Sequence, residues 1–97
     1  MKNLKRIECV IDSVHVPAVV DALRAGGVDG YTVIRGASGW GDRGARQPDG
    51  VSGVFENCVV LCACDAEVLE GVADKLRPIL KRYGGVVLIS DTQSLSH

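Results

Sequence analysis

No stretch of this 97-residue chain approaches the roughly 20 consecutive apolar residues that a membrane-spanning helix needs. The opening Met-Lys-Asn-Leu-Lys-Arg runs into a short apolar stretch broken by Glu8, without the apolar core of a secretory leader, so a cytoplasmic protein without membrane insertion is expected. Neither sign of charge dominates: 11 basic and 12 acidic residues leave a net charge of -1, which provides no field to draw the molecule to nucleic acid. Histidine is scarce, and neither His15 nor His97 stands beside a cysteine or carboxylate in the manner of a catalytic pair or triad, so no enzyme is expected. Four cysteines are present, but Cys9, Cys58, Cys62 and Cys64 show no C-x2-C spacing. In an unsecreted chain they read as reduced thiols packed as small hydrophobes, with no metal site.

What is present is 46% hydrophobic and 24% charged residues, the balance of a globular protein, and the length suits a single domain over 1–97. A domain of this size buries only roughly 60 to 65% of its unfolded surface, so burial between subunits would help it. Ile7, Cys9 and Ile11 alternate with Arg6, Glu8 and Val10, which predicts a strand over 4–11. Val16, Val19, Val20 and Leu23 recur at helical spacing behind Pro17, and Gly26-Gly27 stop that helix. The β-branched and aromatic run 31–35 predicts a second strand.

The run 54–64 is apolar on both faces, so one face meets helices while the other must be covered by something else, most simply a copy of the same chain. Asp65 is placed to cap a helix whose core face is Val68, Leu69, Val72, Leu76, Ile79, Leu80 and Tyr83, with Pro78 expected to kink or interrupt it. Gly84-Gly85 end the helix, and 86–89 reads as a last strand followed by a polar tail. The order strand, helix, strand, loop, strand, helix, strand predicts an α+β, ferredoxin-like βαββαβ fold. Its antiparallel sheet carries both helices on one face, and the other face serves a subunit interface.

Between the second and third strands, 36–53 shows neither periodicity and is long for a loop in a compact domain, a sign of function. Its Gly39-Trp40-Gly41-Asp42-Arg43-Gly44 satisfies G-x-G-x-x-G, but no helix start follows to receive a pyrophosphate, and no Gly-Lys-Ser/Thr makes a P-loop. Glycine-flanked amides can still form an anion-binding nest, and Arg43 and Arg46 are candidates to bind an oxyanion, with Asp42 and Asp49 as counterions. Trp40, alone between two glycines, suits either a ligand ring or a hydrophobic anchor.

The Lys5-Arg6-Ile7 strand, the words Gly26-Gly27-Val28-Asp29-Gly30-Tyr31-Thr32-Val33 and the aromatic between glycines in Gly39-Trp40-Gly41 together resemble the PII signal-transduction proteins. That resemblance implies a homotrimer binding adenine nucleotides in clefts between subunits, with 36–53 as a T-loop that signals to an unidentified protein or transporter. It implies that Thr32 contacts adenine, that Gly39, Trp40 and Gly41 lie along the phosphates, and that Gly84 and Gly85 remain of a second phosphate loop.

The chain departs from the family at Tyr83-Gly84-Gly85-Val86, where the family has Gly-x-Gly-Lys, and at Arg43, where the family has a Mg-ATP-ligating glutamine. It stops at His97, about where the family's phosphate-binding arginines begin. Fewer cations at the distal phosphates favour ADP or AMP over ATP. The pattern is similar to the PII-like branch linked to bicarbonate handling and carboxysomes, some members of which bind bicarbonate.

Two other readings share the element order. An acylphosphatase needs an arginine in a glycine-rich loop after the first strand, where this chain has Asp12-Ser13-Val14-His15. A trimeric metal-binding protein of the divalent-cation tolerance type would use the cysteine row.

Overall fold

The computed structural model describes residues 1–41, 44–46 and 56–95. Strand β1 (Lys2–Asp12) leads through a short 3-10 turn, Ser13–His15, into helix α1 (Val16–Ala25). Strands β2 (Thr32–Ala37), β3 (Gly39–Gly41), β4 (Gly44–Arg46) and β5 (Asn57–Cys64) follow, then helix α2 (Ala66–Tyr83) and strand β6 (Val86–Ser94). The main sheet has the order β2-β5-β1-β6 with every pairing antiparallel, the ferredoxin-like arrangement expected.

Strand alternation decides what meets the helices. Ile7, Cys9 and Ile11 pair across to Cys62, Val60 and Cys58, and all six are buried with Val16, Val19, Leu23, Val72 and Leu76. Each fully buried aliphatic side chain of this set is worth about 1.5 to 3 kcal/mol of transfer free energy. The two helices touch where Gly26 ends α1: a Cβ there would lie 2.6 Å from a Val72 methyl carbon, so the close approach needs glycine. The helix stops in a Schellman turn, with Gly27 at φ 99° and the amides of Gly27 and Val28 donating to the carbonyls of Arg24 and Leu23 at 3.1 and 3.0 Å.

Four sequence expectations change. Segment 36–53 is not wholly without strands, because Gly39–Gly41 pairs with Gly44–Arg46 in a two-stranded ribbon. Main-chain pairing needs no side-chain alternation, so glycine hides it from a periodicity search. Strand β6 runs on to Ser94 through the supposed polar tail. Apart from Leu4, its partners on β1 are themselves polar there, with Asp91 taking a 2.5 Å ion pair from Lys5, and Gln93 donating to Asn3 at 3.0 Å.

Helix α2 continues unbroken through Pro78. That residue is exposed, so the single lost amide bond falls on the solvent side while Leu76, Ile79 and Leu80 hold the inner face. Asp65 does sit at the N-cap, but its side chain makes no capping bond and instead pairs with Lys2 at 3.1 Å.

Among the described residues no helix lies on the opposite face of the sheet. Leu4, Val10, Val59 and Leu61 are half-buried on it, while Ile34, Val86 and Leu88 are 49%, 51% and 57% exposed.

Candidate functional site

The described residues among those singled out from sequence fall at two ends of the sheet. Thr32 opens β2 and is paired with Leu61, facing the open side. It lines a shallow hollow of about 400 Å³ with Gly30, Tyr31, Leu61, Thr92 and Gln93. The first two sit just before β2, in the turn that α1's Schellman stop delivers, while Thr92 and Gln93 come from the far end of β6. The β6 contribution was missed in the sequence because its polar end looked like a tail. Arg24 reaches Tyr31 from α1, its guanidinium 5.6 Å from the ring centroid and 3.4 Å from the hydroxyl.

The other group begins five residues further along β2, about 17 Å at strand rise. The strand leaves its pairing with β5 through an irregularity between Arg35 and Ala37, where Gly36 takes φ 76°. It then delivers Gly39, whose partner across the ribbon is Arg46. Gly39 is exposed, lacks a positive φ, and a Cβ on it would meet nothing within 4 Å. Among the described residues nothing requires glycine there. The backbone of Trp40 and Gly41 continues β3, while Arg43 lies outside the described residues.

Gly84 and Gly85 stand at the same end of the sheet on the opposite edge, three strand spacings or about 14 Å away. Unlike Gly39, both have structural reasons. Gly84, at φ 82°, closes α2 with its amide donating to the Leu80 carbonyl at 2.8 Å. Gly85, at φ 101°, passes so near β1 that a Cβ would sit 2.8 Å from the Val10 carbonyl oxygen.

Beside them His15 stacks on Tyr83 with ring centroids 3.8 Å apart and planes at 18°, and Arg82 lies 5.3 Å from the same ring. The sequence placed His15 in its turn but gave no sign of this contact, which joins residues 68 positions apart through the packing of α2 over β1. Arg35 adds a cation near the ribbon, its Nη1 donating to the Cys58 thiol at 3.9 Å.

The turn after β1 is Ser13–His15, without arginine, and among the described residues no group of three or more histidine, cysteine or acidic side chains could hold a metal. All four cysteines are free and buried, and burial pushes every thiol up from its ordinary value, that of Cys9 and Cys62 to about 11. They pack within the core between the sheet and the helices. No helix among the described residues is long and apolar enough to cross a membrane.

No curated protein matches the sequence. Solved structures do. CPII, a nitrogen regulatory PII-like protein from Thiomonas intermedia K12 bound to ADP, AMP and bicarbonate, superposes with a TM-score of 0.87 at 25% identity, over 95% of this chain and 88% of that one. The same protein bound to ADP and bicarbonate gives 0.82 at 26% identity and the same coverage. A PII-like signaling protein from Thermus thermophilus, at 21% identity, shares the fold with a TM-score of 0.80 over 94% of this chain and 88% of its own. The family model described as nitrogen regulatory protein P-II matches residues 4–97. With that match across almost its whole length, the chain belongs to the nitrogen regulatory P-II family.

Proposed function

We propose that this regulatory PII-like protein is a homotrimer that binds ADP or AMP between subunits, takes bicarbonate as a second ligand, and signals through segment 36–53. The observation that carries the reading is the separation of the candidate residues. Thr32 and its hollow lie about 17 Å along β2 from the point where the strand turns into the glycine ribbon, too far for one nucleoside diphosphate to bridge them across a single copy.

Head-to-tail packing of the open sheet faces brings the Thr32 end of one copy to the glycine ribbon of the next, and repetition about a threefold axis closes the ring. The exposed apolar residues of that face support such packing. In this arrangement Thr32 holds the base, while Gly39, Trp40 and Gly41 let main-chain amides approach the phosphates. Gly84 and Gly85 flank that end, and Arg43 and Arg46 serve bicarbonate or phosphate.

The Thiomonas structures bound to ADP, AMP and bicarbonate support the ligand set by analogy. The protein acts by ligand-dependent contacts rather than catalysis, in the cytoplasm. Its downstream partner belongs to inorganic-carbon or nitrogen metabolism, with carboxysome association the more specific form of that reading.

Calorimetry of the assembled protein with ADP, AMP and ATP, each with and without bicarbonate, tests the proposal. ADP or AMP should bind more tightly than ATP, and Thr32→Ala should weaken binding by about tenfold, the loss of one hydrogen bond. Absence of heat with every adenine nucleotide would overturn it.

A further inference from the structure

Among the described residues, Tyr31 is the one aromatic side chain that borders the Thr32 hollow. Its place is set by the short stretch that it ends. Val28 is buried with its amide bonded to the Leu23 carbonyl, and Thr32 is fixed by pairing with Leu61. Between these anchors Asp29 and Gly30 are exposed, and a Cβ added to Gly30 would meet nothing within 4 Å, so packing around the glycine does not hold the turn.

What reaches the turn is Arg24, in the last turn of α1. Its guanidinium lies 5.6 Å from the Tyr31 ring centroid, and Nη2 donates to the hydroxyl at 3.4 Å. A cation in the last turn also suits the helix dipole, but that role asks nothing of residue 31. Tyr31 is 37% exposed, so the guanidinium does not cover it. The other polar groups at the hollow, the hydroxyls of Thr32, Thr92 and Ser94 and the amide of Gln93, both donate and accept and so select no particular base. A ring does discriminate, because a two-ring base buries more apolar area against it than a one-ring base.

We propose that Tyr31 is a further base-contacting residue of this hollow, the ring that favours a purine over a pyrimidine, and that Arg24 is a positioning residue that holds this ring from α1. The inference rests on the nucleotide reading above and deepens it by assigning base selection to two residues that reading does not use. Restraining the ring before the ligand arrives lowers the ordering cost of binding, which is how a residue without ligand contact raises affinity.

Calorimetry with ADP and UDP, paired with urea unfolding of each variant, tests this. The wild-type protein should bind ADP more tightly than UDP. Tyr31→Leu should weaken ADP binding by about tenfold, the loss of one stacked base, and UDP binding by less, so that the ratio of the two affinities falls. Tyr31→Phe, which keeps the ring, should restore most of that loss. Arg24→Gln should weaken ADP binding by about threefold, the scale of one exposed cation–π contact, at a urea midpoint close to wild type. It keeps the test decisive if Tyr31→Leu does not fold.

An ADP to UDP ratio unchanged in Tyr31→Leu, a Tyr31→Phe protein that binds no better than Tyr31→Leu, or an Arg24→Gln protein that loses stability but not ADP affinity overturns the role of the pair and leaves the nucleotide site standing. A wild-type protein that binds neither nucleotide overturns both.

Discussion

Gly39 and Gly85 carry the same side chain for opposite reasons. At Gly85 a positive φ of 101° and the Val10 carbonyl 2.8 Å from any added Cβ make glycine a requirement of folding. Gly85→Ala should lower stability by about 2 kcal/mol or more, from backbone strain alone. Gly39 meets open space, so Gly39→Ala should unfold at the wild-type denaturant midpoint while weakening nucleotide binding, because a methyl there holds the ligand off the ribbon amides. Paired urea titrations and calorimetry check both. A Gly39→Ala protein with normal stability and undiminished affinity would remove the ribbon from the site. The sequence alone sets these glycines side by side as equals, since a glycine in a string carries neither its φ nor its neighbours.

Along β1 and β5 the cysteines form a row beneath the helices, and here the element sets the chemistry. Burial foremost, and then the nearby thiol of Cys62, holds Cys9 up at about 11; burial and then Cys64 do the same for Cys62. Both thiols have an ordinary value of 9.0 when unfolded. Below that value both states keep the proton and pH has no leverage through these groups. Between about 9 and about 11 the unfolded chain releases protons that the native state retains, so stability falls as pH rises. Urea unfolding should show that decline, and a Cys9→Ala/Cys62→Ala variant should show much less of it; an equal slope in the variant would assign the decline elsewhere.

The strand parity of Cys58, Cys62 and Cys64 was legible in sequence because period two survives wherever one face is packed. The extension of β6 to Ser94 was not, because an edge strand held by Lys5–Asp91 and Asn3–Gln93 pairs needs no apolar face.

At the scale of the whole molecule, one sheet face is covered by its own helices, and among the described residues nothing covers the other. If a second copy covers it, folding and assembly are linked, and the thermal midpoint should rise across a roughly hundredfold increase in protein concentration, with ADP adding a further increase. Differential scanning fluorimetry at several concentrations checks this, and a midpoint independent of concentration would argue for a stable monomer.

The amino-acid order by itself determined the sequence of elements, the buried faces of β1, β5, α1 and α2, and the glycine stops, because each follows from local periodicity and backbone freedom. It also carried the words around Gly39 that resemble the P-II family. Only the tertiary structure decided that residues from the end of β6 border the Thr32 hollow. It also set Glu8 between Leu61 and Leu88 with Arg6 as its partner. Those relations are made by strand pairing between residues distant in the chain, and no local pattern encodes which strand lies beside which.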